Sequence, residues 1–343
     1  MPAFRRASLF FKQWSVLFTH PASEAGVYLG RDLGAFDARR LQTFDRVTRL
    51  SLVGMILSTY FGLRWRGCDI DVSGWESHVG ALGFVLALAL HVTYRRIAPN
   101  LALAALTALL CDLMIAPLAT TTFTYMASAF GGQDNSLLIA DLDRWFGFDW
   151  LANRQAMIAS PVMREVFGSA YNSFQLQFFA LPLLLFLCGR PAQARLFMNC
   201  FILGVIPVTV VATLVPTVDA LLWFKQLSMD SRGYTGYAVV DHYLMLRDGM
   251  MTTLRLPELE GILTFPSFHA VGGCLFAAFS TALGPLRFVF LGLNALLLAA
   301  TPGLGGHYLV DVLAGIVIGV GLIAAALAYT RRRPGAAKIH SLP

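Results

Sequence analysis

Residues 307–329 read HYLVDVLAGIVIGVGLIAAALAY, a run of 23 residues whose only acidic or basic side chain, histidine aside, is that of Asp311. Because a helix needs about 20 mostly apolar residues to cross a bilayer, this stretch predicts a membrane-spanning helix. The preceding run, LRFVFLGLNALLLAATP at 286–302, is of the same kind. The C-terminal part of the chain is therefore predicted to lie in lipid.

The same pattern continues through most of the chain. Hydrophobic residues make up 57% of the sequence and charged residues only 13%, whereas soluble domains carry about 25% charged residues. The composition predicts an all-α, polytopic membrane protein with about eight transmembrane helices. The predicted spans are 47–65, 78–94, 98–118, 169–188, 196–215, 265–283, 286–302 and 307–329.

Basic residues indicate the orientation of these spans. Arg95 with Arg96, Arg190 with Arg195, and the run 331–333 lie in short segments on one side, as expected for cytoplasmic segments. Both ends are then cytoplasmic. This topology divides the chain into a cytoplasmic N-terminal tail (1–46), two additional transmembrane helices (47–97), a six-helix core (98–329) with outer loops 119–168 and 216–264, and a basic cytoplasmic tail (330–343).

The remaining composition excludes several classes. The net charge is +6, but the arginines lie mainly in loops and at the chain ends, so no nucleic-acid partner is expected. The five cysteines form no C-x-x-C pair, which argues against a zinc or disulfide framework. In the first outer loop, the stretch 134–150 contains Trp145 and Trp150 and predicts short helices at the membrane interface.

Two short motifs place ionisable residues at the outer ends of spans. FPSFHA at 265–270 begins the sixth span, and GGHYLVD at 305–311 begins the eighth. His269 and His307 are therefore expected on the same side of the membrane at nearly the same depth. Burying Asp311 one turn inside a span costs about 2.5–3.5 kcal/mol on insertion scales, so a functional role is favoured.

The spacing of His307 and Asp311 predicts a specific chemistry. Residues four apart share one helix face, so the carboxylate is placed to accept a hydrogen bond from one ring nitrogen and fix the tautomer. The other nitrogen can then attack phosphorus. His269 can protonate the leaving oxygen as a general acid. This set requires no metal and no cofactor.

Phosphate also needs cationic partners. The second outer loop supplies Lys225 followed after six residues by Arg232, and Arg247 further on. Lys225 with Arg232 and Arg247 are competing candidates, and the sequence leaves the choice open.

In order and spacing these motifs resemble the type 2 phosphatidic acid phosphatase superfamily. That family carries Lys-x6-Arg-Pro, then Pro-Ser-Gly-His, then Ser-Arg-x5-His-x3-Asp. The chain has Lys225-x6-Arg232, with Gly233 in place of proline, then PSFH at 266–269 and His307-x3-Asp311. The resemblance implies a six-helix phosphatase-like core, with His307 as nucleophile, Asp311 as its orienting carboxylate and His269 as general acid. Phosphate ligands would be Lys225, Arg232, Arg247 and Ser267.

The departures point to a branch of that family. Phe268 replaces the motif glycine, and Ala300 and Thr301 stand where Ser-Arg precedes the third motif. FPSFHA and GGHYLVDVLAG are similar to inositol phosphorylceramide synthases and their bacterial relatives, which move a phosphoryl headgroup between lipids. In that branch a segment like LRDG at 246–249 precedes the second motif, which favours Arg247.

The expected function is a metal-independent lipid phosphotransferase or lipid phosphatase that forms a phosphohistidine. Its partners would be a lipid phosphate or phospholipid and the bilayer; the expected location is a bacterial inner membrane with the site facing the periplasm. The alternative is a non-catalytic channel or transporter in which the same histidines serve as gate residues. The sequence does not indicate the oligomeric state.

Overall fold

The computed structural model describes residues 35–225 and 237–331, with side chains from Val240 onward in the second range. The predicted phosphate ligand Arg232, most of the N-terminal tail and the C-terminal tail beyond Arg331 lie outside these ranges. Within them the chain forms helices and two three-residue strands. The elements are α1 (Ala38–Trp65), β1 (Asp69–Asp71), α2 (Trp75–Val92, continued by a π-helical turn to Ile97), α3 (Leu101–Ser128), α4 (Ser136–Trp145), α5 (Trp150–Ile158), α6 (Pro161–Leu187), α7 (Pro191–Leu214), α8 (Ala220–Trp223), α9 (Tyr237–Arg247), β2 (Thr253–Arg255), α10 (Phe268–Ser280), α11 (Leu286–Leu304) and α12 (Leu309–Thr330).

The predicted all-α membrane fold is confirmed. Each of the eight predicted spans lies on a helix. In the described part of the chain, six of these helices are long and apolar enough to cross a membrane, namely α2, α3, α6, α7, α11 and α12. Helix α10 is shorter, with 13 residues and a 3-10 turn after it, and α1 is not among the six. The chain is an integral membrane protein.

Three helices extend beyond the predicted spans. Helix α1 begins at Ala38 because Asp37 accepts hydrogen bonds from two backbone N–H groups of its first turn, so residues 38–46 are not part of a loose tail. Helix α3 continues to Ser128, past Pro117. Helix α6 begins with Pro161 at its first position, where no N–H is needed. The connections on the outer side are correspondingly shorter than predicted.

Helix α10 lies at the centre of the bundle, packed against α6, α7, α11 and α12. Two glycines of α12 face it. A Cβ at Gly315 would lie 2.3 Å from the Ser267 carbonyl oxygen, and one at Gly319 would lie 3.2 Å from that of Val271. Small residues of this kind let membrane helices approach at backbone distance. The N-terminal ends of α10 and α12 are thereby brought side by side.

The connections on this side form a cap of short elements. Strands β1 and β2 pair in parallel, joining the α1–α2 connection to the segment before α10. Helix α4 packs on α12, and α5 packs on α6 and α11. The cap covers the ends of the helices that carry both histidine motifs.

Candidate active site

His307 precedes α12 and is buried. Its Nδ1 lies 2.8 Å from the Thr264 carbonyl oxygen and 3.3 Å from Asp311 Oδ2. A carbonyl oxygen only accepts hydrogen bonds, so the proton of the neutral imidazole resides on Nδ1. Asp311 Oδ2 is itself held by the Tyr308 backbone N–H at 2.8 Å. The arrangement leaves Nε2 as the basic nitrogen.

Ser267 links the two motifs. Its Oγ lies 3.3 Å from His307 Nε2 and also caps the N-terminus of α10 by accepting from the Ala270 N–H. Its own N–H donates to the Asp311 carbonyl oxygen at 3.0 Å. Serine and aspartate of different motifs therefore fix the position of α10 relative to α12, and with it the direction of Nε2.

His269 lies in the first turn of α10. Its ring centroid is 5.9 Å from that of His307, so the two imidazoles are neighbours in the wall of one cavity. Tyr171 of α6 stacks on His269 at 4.5 Å, and Phe174 contacts it at the same centroid distance. Two aromatic side chains therefore hold the second imidazole in place.

Both histidines open into a cavity of about 460 Å³. Helices α3 and α6 line it on either side of α7, on which both pack. Its far part is largely apolar, with Phe178, Phe179, Phe201, Val205 and Val208 in its wall. Among the described lining residues there is no Lys or Arg, and the acidic ones are Asp219 and Glu260.

The cations predicted to bind phosphate do not join this cluster. Lys225 is exposed just after α8, with a positive φ of 54°, and is not a cavity-lining residue. Arg247 ends α9, where its guanidinium donates to the Gly132 carbonyl and lies over the Tyr243 ring. Arg232 lies outside the described residues. Of the seven predicted site residues, the structure brings together His307, Asp311, His269 and Ser267.

Trp150 has a different place from the one predicted. It is only 2% exposed, whereas Trp145 is 77% exposed, as an interface residue would be. The Trp150 indole N–H is shared between the carbonyl oxygens of His307 at 2.8 Å and Pro302 at 3.1 Å. The expectation that Trp150 lies at the membrane interface is wrong, because these buried acceptors satisfy its N–H inside the protein.

Asp143 of α4 is a second residue that the sequence did not single out. Its carboxylate oxygens accept from the backbone N–H groups of Leu309 and Val310, both at 2.9 Å. Asp143 thus caps the N-terminus of α12 although it belongs to α4. The two N–H groups that it caps are those of the two residues immediately before Asp311. Burial raises the pKa of this carboxyl group, while the two backbone hydrogen bonds lower it. The segment predicted as an outer loop therefore holds the N-terminus of α12 in position.

Asp143→Ala is expected to lower both stability and activity. Loss of a cap costs about 0.5–2 kcal/mol, and a shift of His307 by a fraction of an ångström is expected to lower kcat about 10-fold. Thermal unfolding in detergent and phosphate-ester turnover would measure the two effects. The matched control is Asp141→Ala on the same helix, whose side chain is 54% exposed and paired only with the exposed Arg144; equal losses in both variants would contradict the capping role.

The described residues contain no group of three His, Cys, Asp or Glu side chains placed to hold a metal ion. In the comparison with known families, residues 137–325 match the model described as the PAP2 superfamily. No curated protein and no solved structure matches the chain. The matched range begins in α4 and includes both histidine motifs.

Proposed function

Because this chain belongs to the PAP2 superfamily, whose members are generally phosphatases, we propose that it cleaves a lipid phosphate ester through a phosphohistidine at His307. This is the type 2 phosphatidic acid phosphatase superfamily that the motifs resemble. Membership in it supports a phosphatase or phosphotransferase activity in general terms. The lipid substrate and the covalent intermediate are the finer parts of the proposal.

The observation that carries the proposal is the fixed tautomer of His307. Nδ1 is committed to Thr264 and Asp311, so Nε2 keeps its lone pair, which accepts from the Ser267 hydroxyl at 3.3 Å until a phosphoryl group in the cavity takes that place. Asp311 is buried, so its charge acts at close range and stabilises the positive charge that the ring acquires on phosphorylation. A gate histidine in a channel would need neither a fixed tautomer nor a buried carboxylate.

In the first step, Nε2 of His307 attacks phosphorus and the bond from phosphorus to the leaving oxygen breaks. His269, which enters this step as the imidazolium beside the negatively charged phosphate, gives its proton to that oxygen. In the second step, an acceptor hydroxyl attacks the phosphohistidine, its proton passes to His269, and the phosphorus–nitrogen bond breaks. Both histidines return to their initial states.

A lipid substrate is supported by the apolar part of the cavity. Phosphate chemistry alone needs a polar pocket, yet besides the threonines of α3 the wall includes Phe side chains of α6 and Phe and Val side chains of α7. Phe179 is 38% exposed at the outer surface of α6, so the apolar wall continues to the face that meets lipid. An acyl chain fits such a groove while the phosphoryl group lies between the histidines.

A phosphodiester substrate is favoured over a phosphomonoester. A monoester carries close to two negative charges near neutral pH, whereas a diester carries one, and the described lining supplies no Lys or Arg. This charge balance supports a phosphotransferase like the inositol phosphorylceramide synthase branch, with a hydroxyl-bearing acceptor. With both chain ends cytoplasmic, the site faces the opposite side, which in a bacterial inner membrane is the periplasm.

Purified wild-type protein in detergent is expected to convert phospholipids and to carry an acid-labile, alkali-stable phosphoryl label on His307. A panel of lipid phosphates and phospholipids, each with labelled phosphorus, would be followed for free phosphate, new lipid products and labelled protein. Transfer predicts a new headgroup lipid without stoichiometric free phosphate, and hydrolysis predicts free phosphate.

The control for loss of a histidine outside the cavity is His78→Asn. His78 is an exposed histidine of α2 whose ring bonds a backbone carbonyl oxygen at the start of its own helix. It should behave as wild type. A folded wild-type protein that forms neither labelled histidine nor any product across the panel would favour the channel or transporter alternative.

A further inference from the structure

Asp219 lies in the connection between α7 and α8 and lines the same cavity as the two histidines. One oxygen, Oδ1, accepts from the Leu221 N–H at 2.7 Å and so fixes the side chain. The next residue, Ala220, donates its N–H to the Gly306 carbonyl oxygen at 2.8 Å. The α7–α8 connection is thereby fastened to the residue immediately before His307.

The carboxyl group of Asp219 lies directly against Gly306. A Cβ at Gly306 would lie 2.1 Å from Asp219 Oδ2, and the φ of this glycine is +70°, a conformation that side chains disfavour. Only glycine therefore permits the contact. Within the described part of the chain, Oδ2 has no hydrogen-bond donor. This oxygen is available to a ligand in the cavity.

An ionised Asp219 in this place would repel a phosphate ester. Asp311 already supplies one buried carboxylate nearby, and the described lining contains no Lys or Arg, although Arg154 interacts with Asp219 from outside the lining. Thr301, at the position of the motif arginine, is buried and donates its hydroxyl to the Leu297 carbonyl oxygen. Thr301 therefore offers no donor to the phosphoryl group, whereas Asp219, which lies against Gly306, is placed to offer one.

The surroundings of Asp219 favour its neutral form. Burial and, to a smaller extent, the nearby charge of Asp311 raise the pKa of Asp219 to about 7, against the opposing effects of the Leu221 N–H, His307 and Arg154. Arg154 donates to the Gly303 carbonyl oxygen. The titratable and charged groups that interact with Asp219 or share its cavity are His307, Asp311, Arg154, Tyr171, Tyr308, His269 and Glu260.

We propose that Asp219 is a further substrate-binding residue, which as a neutral carboxylic acid donates a hydrogen bond from Oδ2 to a phosphoryl oxygen of the substrate at His307. This inference rests on the proposed function and adds a specificity to it. A neutral donor stabilises a singly charged phosphodiester without overcompensating its charge. It also makes substrate binding dependent on pH, because a carboxylate accepts hydrogen bonds and cannot donate one.

The direction of this dependence follows from the proton. Below pH 7 the acid is neutral and donates. As the pH rises through 7, Asp219 ionises, loses its donor and gains a charge of the same sign as the substrate. Wild-type kcat/KM is therefore expected to fall on the alkaline side of 7.

The variants Asp219→Asn and Asp219→Ala distinguish the effect of the hydrogen bond that Asp219 donates from the effect of its negative charge when it is ionised. Asparagine keeps an oxygen for the Leu221 N–H and an N–H₂ donor for phosphate at every pH. Full-length protein in detergent would be assayed with hexadecyl p-nitrophenyl phosphate, an artificial lipid phosphodiester, from pH 5.5 to 8.5. At pH 6 the Asn variant is expected within about threefold of wild type, and the Ala variant about 10- to 100-fold lower, as loss of a hydrogen bond to a charged group predicts.

At pH 8 the Asn variant is expected to exceed wild type, because its donor does not titrate. Thermal unfolding of each variant would verify folding, and the exposed Asp248→Asn serves as the matched charge control. An Asn variant as inactive as the Ala variant at pH 6, or one with the wild-type alkaline decline, would overturn the assignment of Asp219 alone. Absence of any His307-dependent cleavage by wild type would overturn the proposed function and this inference with it.

Discussion

His307→Asn is expected to abolish turnover, lowering kcat about 10⁴-fold or more, as removal of a nucleophile does in covalent catalysis. Asparagine is close in size to histidine and its amide oxygen reaches a similar position, but it cannot form a phosphoryl intermediate. The ring is buried between Thr264, Ser267 and Asp311, and no other described histidine except His269 lines the cavity. The measurement is single-turnover cleavage of a labelled phospholipid by the purified variant.

The matched control for this variant is His91→Asn. His91 is half-buried on α2, bonded to the Ala104 carbonyl oxygen rather than placed in the cavity. The substitution His91→Asn removes a histidine ring from the membrane protein just as His307→Asn does. The His91→Asn variant is expected to retain wild-type kcat. A His307→Asn variant that is folded and still turns over within 10-fold of wild type would remove His307 as the nucleophile.

Local sequence pattern was sufficient to predict which side chains lie together at the centre of the candidate site. His307 and Asp311 are joined by helical periodicity, which needs no knowledge of the rest of the fold. His269 and Ser267 follow because both motifs begin spans on the same side of the membrane, and a bilayer fixes their depth. Gly315 then lets α10 lie directly against α12, so that the side chains at equal depth on the two helices come into contact.

The supporting residues were not predictable in the same way. Asp143 and Leu309 are 166 positions apart, and Trp150 and His307 are 157 apart. Nothing in the local sequence around Asp143 distinguishes it from the neighbouring Asp141, which points to solvent. Such contacts depend on how the cap folds over the helices, and the amphipathic pattern of α4 specifies only that one face is buried.

For Lys225 and Arg247, which the structure does not place in the cavity wall, the sequence offers no such constraint. Both have the residue type that phosphate binding needs, and both lie in the expected loop. Whether a loop cation reaches a site depends on the path of the loop, which charge and spacing do not encode. In the structure the Arg247 guanidinium donates to the Gly132 carbonyl oxygen and lies over the Tyr243 ring.

Pro117 marks a similar limit for helix boundaries. The predicted span ended at residue 118, one residue after this proline, yet α3 continues to Ser128. Proline removes one backbone hydrogen bond, and the hydroxyls of Thr120 and Thr122 bond to carbonyl oxygens of the preceding turn. Packing against α7 outweighs the local cost.

Gly315→Ala is expected to damage both the fold and the site. The added Cβ would lie 2.3 Å from the Ser267 carbonyl oxygen and 2.8 Å from the Ala270 Cβ, so α10 and α12 must separate. Overpacking of this kind costs about 1–3 kcal/mol. Because the separation moves Ser267 and His269 away from His307, kcat is expected to fall about 100-fold. Thermal unfolding in detergent and kcat on the converted phospholipid measure the two effects.

The same helix provides the control. Gly321 lies on α12 with no atom within 4 Å of an added Cβ, so Gly321→Ala makes the same chemical change on the lipid-facing side. It is expected to leave kcat and the unfolding temperature near wild type. The contrast separates helix propensity, which both variants change equally, from helix contact, which only Gly315→Ala changes. If both variants had wild-type kcat, the close contact of α10 with α12 would not be what aligns the two histidines.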